Sequence, residues 1–205
     1  HSTILETVWW GVPCLIVVVL GIITWRSTHK LDPYRPLDIP GKPLVIQAVS
    51  LEWKWLFIYP KQGIATVNTM VLPKDRQVEF RITSDAPMSA FFIPQLGSQI
   101  YAMAGMRTKL HLVANYEGVY QGLNSQYNGD GFSDMHFKVK VTDGNGFDKW
   151  VSDIKKKPDH LTIPQYKKLV KPSKANPAAY YSTVDSNLFK RIIMQYREPN
   201  KNLHQ

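Results

Sequence analysis

Three features of the sequence predict a mainly β protein, an antiparallel sandwich or barrel, with an N-terminal transmembrane helix and a C-terminal helical extension. Residues 7–25 contain no charged side chain. Between residues 44 and 142, short runs alternate apolar and polar side chains and are separated by turn-forming residues, which is typical of antiparallel strands. From Phe147 onward, apolar residues recur at helical spacing instead.

Residues 1–29 are interpreted as the transmembrane helix. The uncharged stretch of 19 residues is long enough to cross the hydrocarbon core of a bilayer. Trp9, Trp10 and Trp25 fall near its ends, where interfacial tryptophans are enriched. A signal peptide would need a basic leader and a small-residue cleavage site, and the flanks of the stretch provide neither.

The remaining chain divides into a linker, a β domain and an extension. Residues 30–43 hold four prolines and a glycine, which predicts a stiff, extended linker. Residues 44–142 form the predicted β domain. Residues 143–205 predict a basic extension with three short amphipathic helices separated by prolines. This extension carries 12 Lys and Arg against 6 Asp and Glu, but it has no nucleic-acid-binding motif, so we expect a solvated basic face and no nucleic acid partner.

Composition limits the chemistry of the chain. The single cysteine, Cys14, excludes an internal disulfide and a thiolate metal cluster. There is no Ser/His/Asp grouping, phosphate-binding loop or paired carboxylate set, so the chain alone is not expected to be catalytic.

The stretch 122–135, "GLNSQYNGDGFSDM", has the spacing of a metal loop without its ligands. Cysteines at Asn124 and Asn128, with Met135 following, would form a soft-metal site. Amide oxygens are hard, neutral ligands that do not hold a soft transition metal, so no metal is predicted.

Four motifs occur in order: "HSTILETVWWGVP", "LEWKWLFIYP", "FFIPQLGSQIYAMAGM" and "GVYQGLNSQYNGDGFSDM". Together they resemble subunit II of the haem–copper respiratory oxidases, most closely that of the bacterial cytochrome bo-type ubiquinol oxidases. The resemblance runs from His1 to Thr142, and the basic tail is similar to the C-terminal extension of those quinol oxidases. It implies a cupredoxin-like Greek-key β-barrel on the periplasmic side of the bacterial inner membrane.

The resemblance also identifies the metal-loop positions. In the cytochrome c oxidases of this family, two cysteines, two histidines, a glutamate and a methionine hold a dinuclear copper centre. The matching positions in this sequence are Ser89, Asn124, Gln126, Asn128, Phe132 and Met135. Only the methionine keeps its type, so these positions are expected to be vestigial and to bind no copper.

The function that the resemblance implies is that of a non-catalytic subunit II of a proton-pumping oxidase, which oxidises ubiquinol and reduces dioxygen to water. Haems, copper and quinol would lie in subunit I, and this chain would hold no cofactor. The expected partners are subunit I above all, subunits III and IV, and membrane lipids.

Glu6 matches the acid that, in this family, lies at the cytoplasmic mouth of a proton pathway of subunit I. The resemblance therefore puts Glu6 inside and the β domain outside. The cluster Arg26, His29, Lys30 and Arg35 would, by the positive-inside rule, favour the opposite orientation. We follow the resemblance, because long domains translocate largely regardless of charge. Subunits of this family usually have two transmembrane helices, and the span found here matches the second.

Trp53 and Trp55 are expected to share one face of a strand, with Lys54 on the other. Either they seat the domain on subunit I or they fill the core of the barrel, and both readings remain open.

Two alternative functions remain. The first is the electron-entry subunit of a cytochrome c oxidase, against which the missing ligands argue. Residues 44–142 carry 9 basic and 7 acidic side chains, whereas a docking site for basic cytochrome c should be acidic, so no cytochrome c partner is expected. The second is a membrane-tethered binding module unrelated to respiration.

Overall fold

The computed structural model describes residues 2–37 and 39–197. Its helices are α1 (Thr3–Lys30), α2 (Gly144–Lys155), α3 (Ile163–Leu169) and α4 (Leu188–Arg197). Its strands are β1 (Leu44–Leu51), β2 (Lys54–Tyr59), β3 (Ile64–Val67), β4 (Thr69–Pro73), β5 (Val78–Ser84), β6 (Ser89–Phe92), β7 (Ile100–Ala102), β8 (Thr108–Leu112), β9 (Gly118–Asn124), β10 (His136–Thr142), β11 (His160–Leu161), β12 (Ala179–Tyr181) and β13 (Thr183–Val184). A short 3-10 helix spans Phe132–Asp134. The predicted fold class, mainly β with an N-terminal apolar helix and a C-terminal helical extension, is confirmed.

The N-terminal unit ends at Arg35 and consists of α1. None of the helix's residues is buried within the protein, and its apolar side chains face outward on all sides. In the described part of the chain it is the one helix long and apolar enough to cross a membrane. A helix with an apolar surface all round needs an apolar environment, which here the rest of the unit does not supply.

The second unit is built on two sheets. The six-stranded sheet has the order β12-β3-β2-β1-β5-β8, and the five-stranded sheet has the order β4-β10-β9-β6-β7. Most neighbouring strands are antiparallel, but β1 pairs with β5, and β4 pairs with β10, in parallel. These two parallel pairs require long connections that cross between the sheets, so the topology is not a simple meander.

The principal core lies between the two sheets. Trp55, Phe57 and Tyr59 point into it from β2, and Phe91 and Phe137 meet them from the other sheet. The ring centroids of Phe91 and Phe137 lie 5.2 Å apart in a stacked arrangement. Helix α2 closes this core with Phe147, Val151 and Ile154. Large aromatic side chains dominate the burial and therefore the stability of this core.

A second core lies on the outer face of the six-stranded sheet. Val49, Leu51, Leu56 and Ile58 point away from the principal core and contact apolar side chains of α3, α4 and β11. Strand β12 also pairs with β3 and becomes the edge strand of this sheet. The extension is therefore an integral part of the β unit, which its sequence pattern did not reveal.

Local signals fix the helix starts in the extension. The Asp143 carboxylate caps α2 by accepting a hydrogen bond from the Gly146 N–H at 2.8 Å. Thr162 and Gln165 form a capping box at the start of α3, and Pro164 occupies its first turn. The three predicted helices are thus present, with the first beginning three residues before Phe147.

Candidate functional site

The loop end of the barrel, defined here as residues 84–89, 103–107 and 124–135, carries the positions matched to copper ligands. Strand β6 starts at Ser89, and β9 ends at Asn124. The two strands are neighbours, with Phe91 opposite Asn124. The sheet therefore brings the first matched position beside the start of the loop that holds the other five.

Three of the matched side chains form one buried hydrogen-bond network. The Asn128 Nδ2 group donates to Ser89 Oγ at 3.1 Å and to Met135 Sδ at 3.3 Å. Ser50 Oγ also donates to Ser89 Oγ at 2.8 Å. Ser50, Ser89 and Met135 are fully buried. Ser89, Asn128 and Met135, three of the six matched positions, are therefore in direct hydrogen-bond contact.

Asn124 braces the loop from within. Its Oδ1 atom accepts hydrogen bonds from the Ala90 N–H at 2.8 Å and the Gln126 N–H at 3.1 Å. Its Nδ2 group donates to the Gln126 carbonyl at 2.7 Å. Gln126 thus takes part in these hydrogen bonds through its backbone N–H and carbonyl groups. Asn124 acts as a local substitute for backbone pairing, a role in which asparagine is common.

Phe132 is positioned differently from the other matched residues. It lies in the 3-10 helix, is half-buried, and packs against Tyr127 with ring centroids 5.6 Å apart. A phenyl ring offers no lone pair to a metal, so this position contributes apolar contact alone.

The donor atoms of the matched positions do not fit a copper pair. Ser89, Asn124 and Asn128 offer neutral oxygen or amide groups, and Met135 offers one thioether, whereas copper in such sites takes thiolate and imidazole ligands. Among the described residues, no group of three or more His, Cys, Asp or Glu side chains is placed to hold a metal. The side chains at these positions therefore do not supply the ligand set of a dinuclear copper centre.

The Trp53 side chain lies over the outside of the loop formed by residues 124–135. Its backbone adopts a left-handed conformation with φ of 59°, and its indole Nε1 donates to the Asn128 carbonyl at 3.3 Å. The ring lies so close to Gly131 that an added Cβ there would come within 2.3 Å of it. A glycine is thus required at position 131. Trp53 stays a predicted interface residue, because its ring is half-buried.

The expectation that Trp53 and Trp55 share one strand face is wrong. Trp53 lies in the turn before β2, whereas Trp55 points into the principal core and is fully buried. The Trp55 ring packs against Phe91 at 5.4 Å and Phe137 at 5.9 Å between centroids. The left-handed residue at 53 reorients the chain and breaks the alternation. Trp55 therefore fills the core and presents no surface to a partner subunit.

Lys54, expected on the opposite face, is also buried. Its side chain lies on the outer face of the six-stranded sheet. There its Nζ donates to the Lys171 carbonyl at 2.8 Å and to Ser173 Oγ at 2.5 Å. Burial lowers the pKa of this amine. Its function in the fold is to hold the connection between α3 and β12.

Glu6 lies in the other unit, in the first turn of α1, beside Thr3, Thr7 and Trp10. Its side chain is exposed. The structure therefore does not bring Glu6 and the loop end into one unit, and its proposed role depends on a partner subunit.

One group at the loop end, Asp85, had only a weak sequence signal. The Asp85 carboxylate is buried and accepts hydrogen bonds from Tyr166, Gln195 and Tyr196. These partners lie more than 80 residues away along the chain, so spacing could not have connected them. The only hint was an acid directly after an alternating strand.

Comparisons with known proteins agree with this geometry. Residues 60–142 match the family described as "Cytochrome C oxidase subunit II, periplasmic domain", and residues 155–200 match the "COX Aromatic Rich Motif". The crystal structure of the periplasmic domain of subunit II of a cytochrome oxidase of Bradyrhizobium japonicum is similar, with a TM-score of 0.53 and 24% identity, covering 56% of this chain and 95% of that one. At that identity the likeness shows the fold, which is cupredoxin-like as expected.

Sequence relatives extend over nearly the whole chain. "Cytochrome bo(3) ubiquinol oxidase subunit 2" of Pseudomonas aeruginosa is 59% identical over 196 residues, which cover 96% of this chain and 59% of that protein. The protein of the same name from Buchnera aphidicola subsp. Baizongia pistaciae is 46% identical over 195 residues, which cover 94% of this chain and 68% of that protein. The chain thus spans roughly three fifths to two thirds of the length of these relatives. With the fold and the substituted loop, this similarity shows that the chain belongs to the ubiquinol oxidase subunit 2 family.

Proposed function

We propose that the chain is a non-catalytic subunit II of a proton-pumping quinol oxidase, which oxidises ubiquinol and reduces dioxygen to water. The observation that carries the proposal is a loop end in which side-chain hydrogen bonds join the positions matched to copper ligands. Such a domain cannot take electrons from cytochrome c through copper. Membership of the quinol oxidase family supports the same conclusion.

Its main partner in this proposal is subunit I, and subunits III and IV complete the complex. The loop end supports such docking, because Met88, Tyr101, Met106 and Tyr127 on or beside its loops are 43–70% exposed. Methionine and tyrosine are enriched at the cores of protein interfaces. Trp53, which lies over the same loop, belongs to this proposed contact surface.

The location that fits these features is the bacterial inner membrane, with the β unit in the periplasm. Helix α1 supplies the membrane anchor, and membrane lipids surround it. Glu6 then lies at the cytoplasmic surface. Haems, copper and quinol would be held by subunit I, where they carry out electron transfer and dioxygen reduction. This chain's own contribution is to dock, to order its loop end and to place Glu6.

The test is purification of the tagged full chain from membranes in mild detergent, followed by a haem spectrum and a metal assay. We expect a haem-bearing subunit to copurify, with copper in proportion to haem. A chain recovered intact without haem would contradict the proposal and would favour a tethered binding module.

Two matched variants sharpen the test of the docking surface. Met106→Glu with Tyr127→Glu places charges in the loop end and should release the haem-bearing subunit. Tyr116→Glu with Val119→Glu adds the same two charges at positions that are 77% and 68% exposed, in and beside the turn between β8 and β9 at the opposite end of the barrel, and should leave the complex intact. Equal loss in both variants would contradict docking through the loop end.

A further inference from the structure

Asp85 occupies an unusual environment at the loop end. It directly follows β5, and among the residues that the structure describes it is the one acidic side chain that is buried. A buried carboxylate is costly to fold around unless it is paired or fully hydrogen-bonded. Its partners therefore indicate what the residue is for.

All three side-chain partners of Asp85 belong to the aromatic-rich extension. Its Oδ2 atom accepts a short hydrogen bond from the Tyr166 hydroxyl on α3. Its Oδ1 atom accepts from the Tyr196 hydroxyl at 2.7 Å and from the Gln195 amide, both on α4. Hydrogen bonds to an ionised carboxylate are stronger than those between neutral groups. The carboxylate thus joins two helices of the extension to the first loop of the loop end.

A second contact joins α4 to the second loop. Arg197 at the end of α4 donates from Nε to the Gly105 carbonyl at 2.7 Å. Gly105 has φ of 72°, and a Cβ added there would come within 3.1 Å of the Tyr196 Cβ. The positive φ and the close approach of α4 both favour glycine at this position.

From Asp85 the contacts continue to the third loop. The Asp85 N–H donates to the Ser50 carbonyl at 2.8 Å, and Ser50 Oγ donates to Ser89 Oγ. Ser89 in turn accepts from Asn128 in the loop 124–135. These three hydrogen bonds all join uncharged groups. The one charged group in the series is the Asp85 carboxylate.

We propose that Asp85 is a positioning residue through which the aromatic-rich extension orders the loop end of the barrel. In this chain the direct ties from α3 and α4 reach residues 84–89 through Asp85 and residues 103–107 through Gly105. The proposal gives the extension a role within the domain itself and does not depend on any partner subunit.

Simple packing of the extension does not explain the arrangement. The apolar side chains of α3 and α4 already cover the outer face of the six-stranded sheet. A well-packed apolar side chain at position 85 would serve that purpose without the desolvation of a charge. The carboxylate adds directed bonds to the loop that precedes Ser89, and packing alone would not supply these.

The test is hydrogen–deuterium exchange, read by peptide mass, on the full chain in detergent. Asp85→Asn keeps the volume and removes the charge, and an amide cannot accept all three bonds. We expect exchange in residues 84–89, 103–107, 124–135 and α4 to accelerate by on the order of tenfold, because the free energy of local opening falls there. Exchange in α2 and in β1 should not change.

Two further variants make the outcome decisive. Asp153→Asn removes an exposed acid of α2 and should leave all rates unchanged. Tyr196→Phe, which removes a single bond to the carboxylate and keeps the ring, should accelerate the same segments by a smaller factor. Acceleration confined to α4, acceleration spread evenly over β1 and α2, or no acceleration in Asp85→Asn would each overturn the proposal.

Discussion

At the scale of single residues, the hydrogen bonds of the loop end leave one buried acceptor unsatisfied. Asn128 donates from Nδ2 to two partners, yet its Oδ1 atom is buried with no partner among the described residues. An unsatisfied buried acceptor costs about 1–3 kcal/mol. The hydrogen bonds therefore satisfy this amide only in part.

This geometry leads to a prediction about copper. The full chain should bind no stoichiometric copper, because its donors are neutral and mostly hard. The combined change Ser89→His, Asn124→Cys, Asn128→Cys and Phe132→His should generate a copper-binding, coloured site, since the backbone of the loop is retained. Elemental analysis and visible absorption check both halves.

The control for the copper prediction is the single change Asn124→Cys, which supplies one thiolate and should not give the colour. Two coppers per unmodified chain would contradict the prediction. Absence of copper from a folded quadruple variant would show that the orientation of position 132 toward Tyr127 prevents ligation.

At the scale of secondary-structure elements, the sequence pattern predicted strands with one buried face well. It predicted strands that are buried on both faces poorly. Strand β10 alternates buried and exposed residues as its pattern predicts, whereas every residue of β2 is buried. The continuous apolar run in β2 is the signal for burial on both faces. The outer face of β2 is covered by residues of α3, α4 and β11, which lie more than 100 residues downstream. Periodicity within a strand carries no information about such distant contacts.

The position of Trp55 gives a prediction for β2. Trp55→Ala should lower the free energy of unfolding by about 3–5 kcal/mol, because it removes a fully buried ring that packs against both Phe91 and Phe137. Denaturant unfolding of the full chain in detergent measures this loss. Tyr127→Ala, at a side chain that is 70% exposed, is the matched control and should change stability little. Unchanged stability with lost assembly in Trp55→Ala would return this residue to the interface.

Helix α4 should respond to alkaline pH. Burial, with the hydrogen bond to Asp85, raises the pKa of Tyr196 to about 12, and burial also raises the pKa of Tyr166. A tyrosine in the unfolded chain titrates near pH 10. Because the folded-state pKa lies above the unfolded value, the stabilisation is complete below about pH 10 and is lost as the pH rises through the pKa of Tyr196.

We therefore expect α4 to detach from the loop end between about pH 10 and pH 12, where the pKa values of the unfolded and folded states lie. Near-ultraviolet circular dichroism and tyrosinate absorbance measure the transition. Tyr196→Phe should weaken the pH dependence over this range. A transition at the same pH and of the same size in that variant would contradict the assignment.

At the scale of the whole molecule, the chain joins two units with different environments. Helix α1 has an apolar surface with no core of its own, while the β unit is closed by two cores. Length and charge were sufficient to identify the first unit, because a membrane span has a strong compositional signal. We predict a different role for each unit, with proton supply at Glu6 and docking at the loop end.

The last prediction concerns Glu6 in the assembled oxidase. It is the only acid before Asp32 and lies near the N-terminal end of α1, one residue before the uncharged span begins. A carboxylate at a membrane surface can collect protons from water and pass them to a partner, and glutamine keeps its shape without its titratable group. Glu6→Gln should therefore slow quinol oxidation by less than about tenfold, or about 1.4 kcal/mol in activation free energy, because water can still reach the pathway.

Assembly and the haem spectrum should be unchanged in Glu6→Gln, so the loss would be one of turnover. Steady-state quinol oxidation by the purified complex, measured from acid to alkaline pH, gives the readout, and the deficit should shrink at low pH, where protons are abundant. Glu117→Gln, an exposed acid in the turn between β8 and β9, is the matched control and should turn over as the unmodified complex does. Equal turnover of Glu6→Gln and the control at every pH, in fully assembled complexes, would show that Glu6 is an interfacial acid without a part in proton uptake.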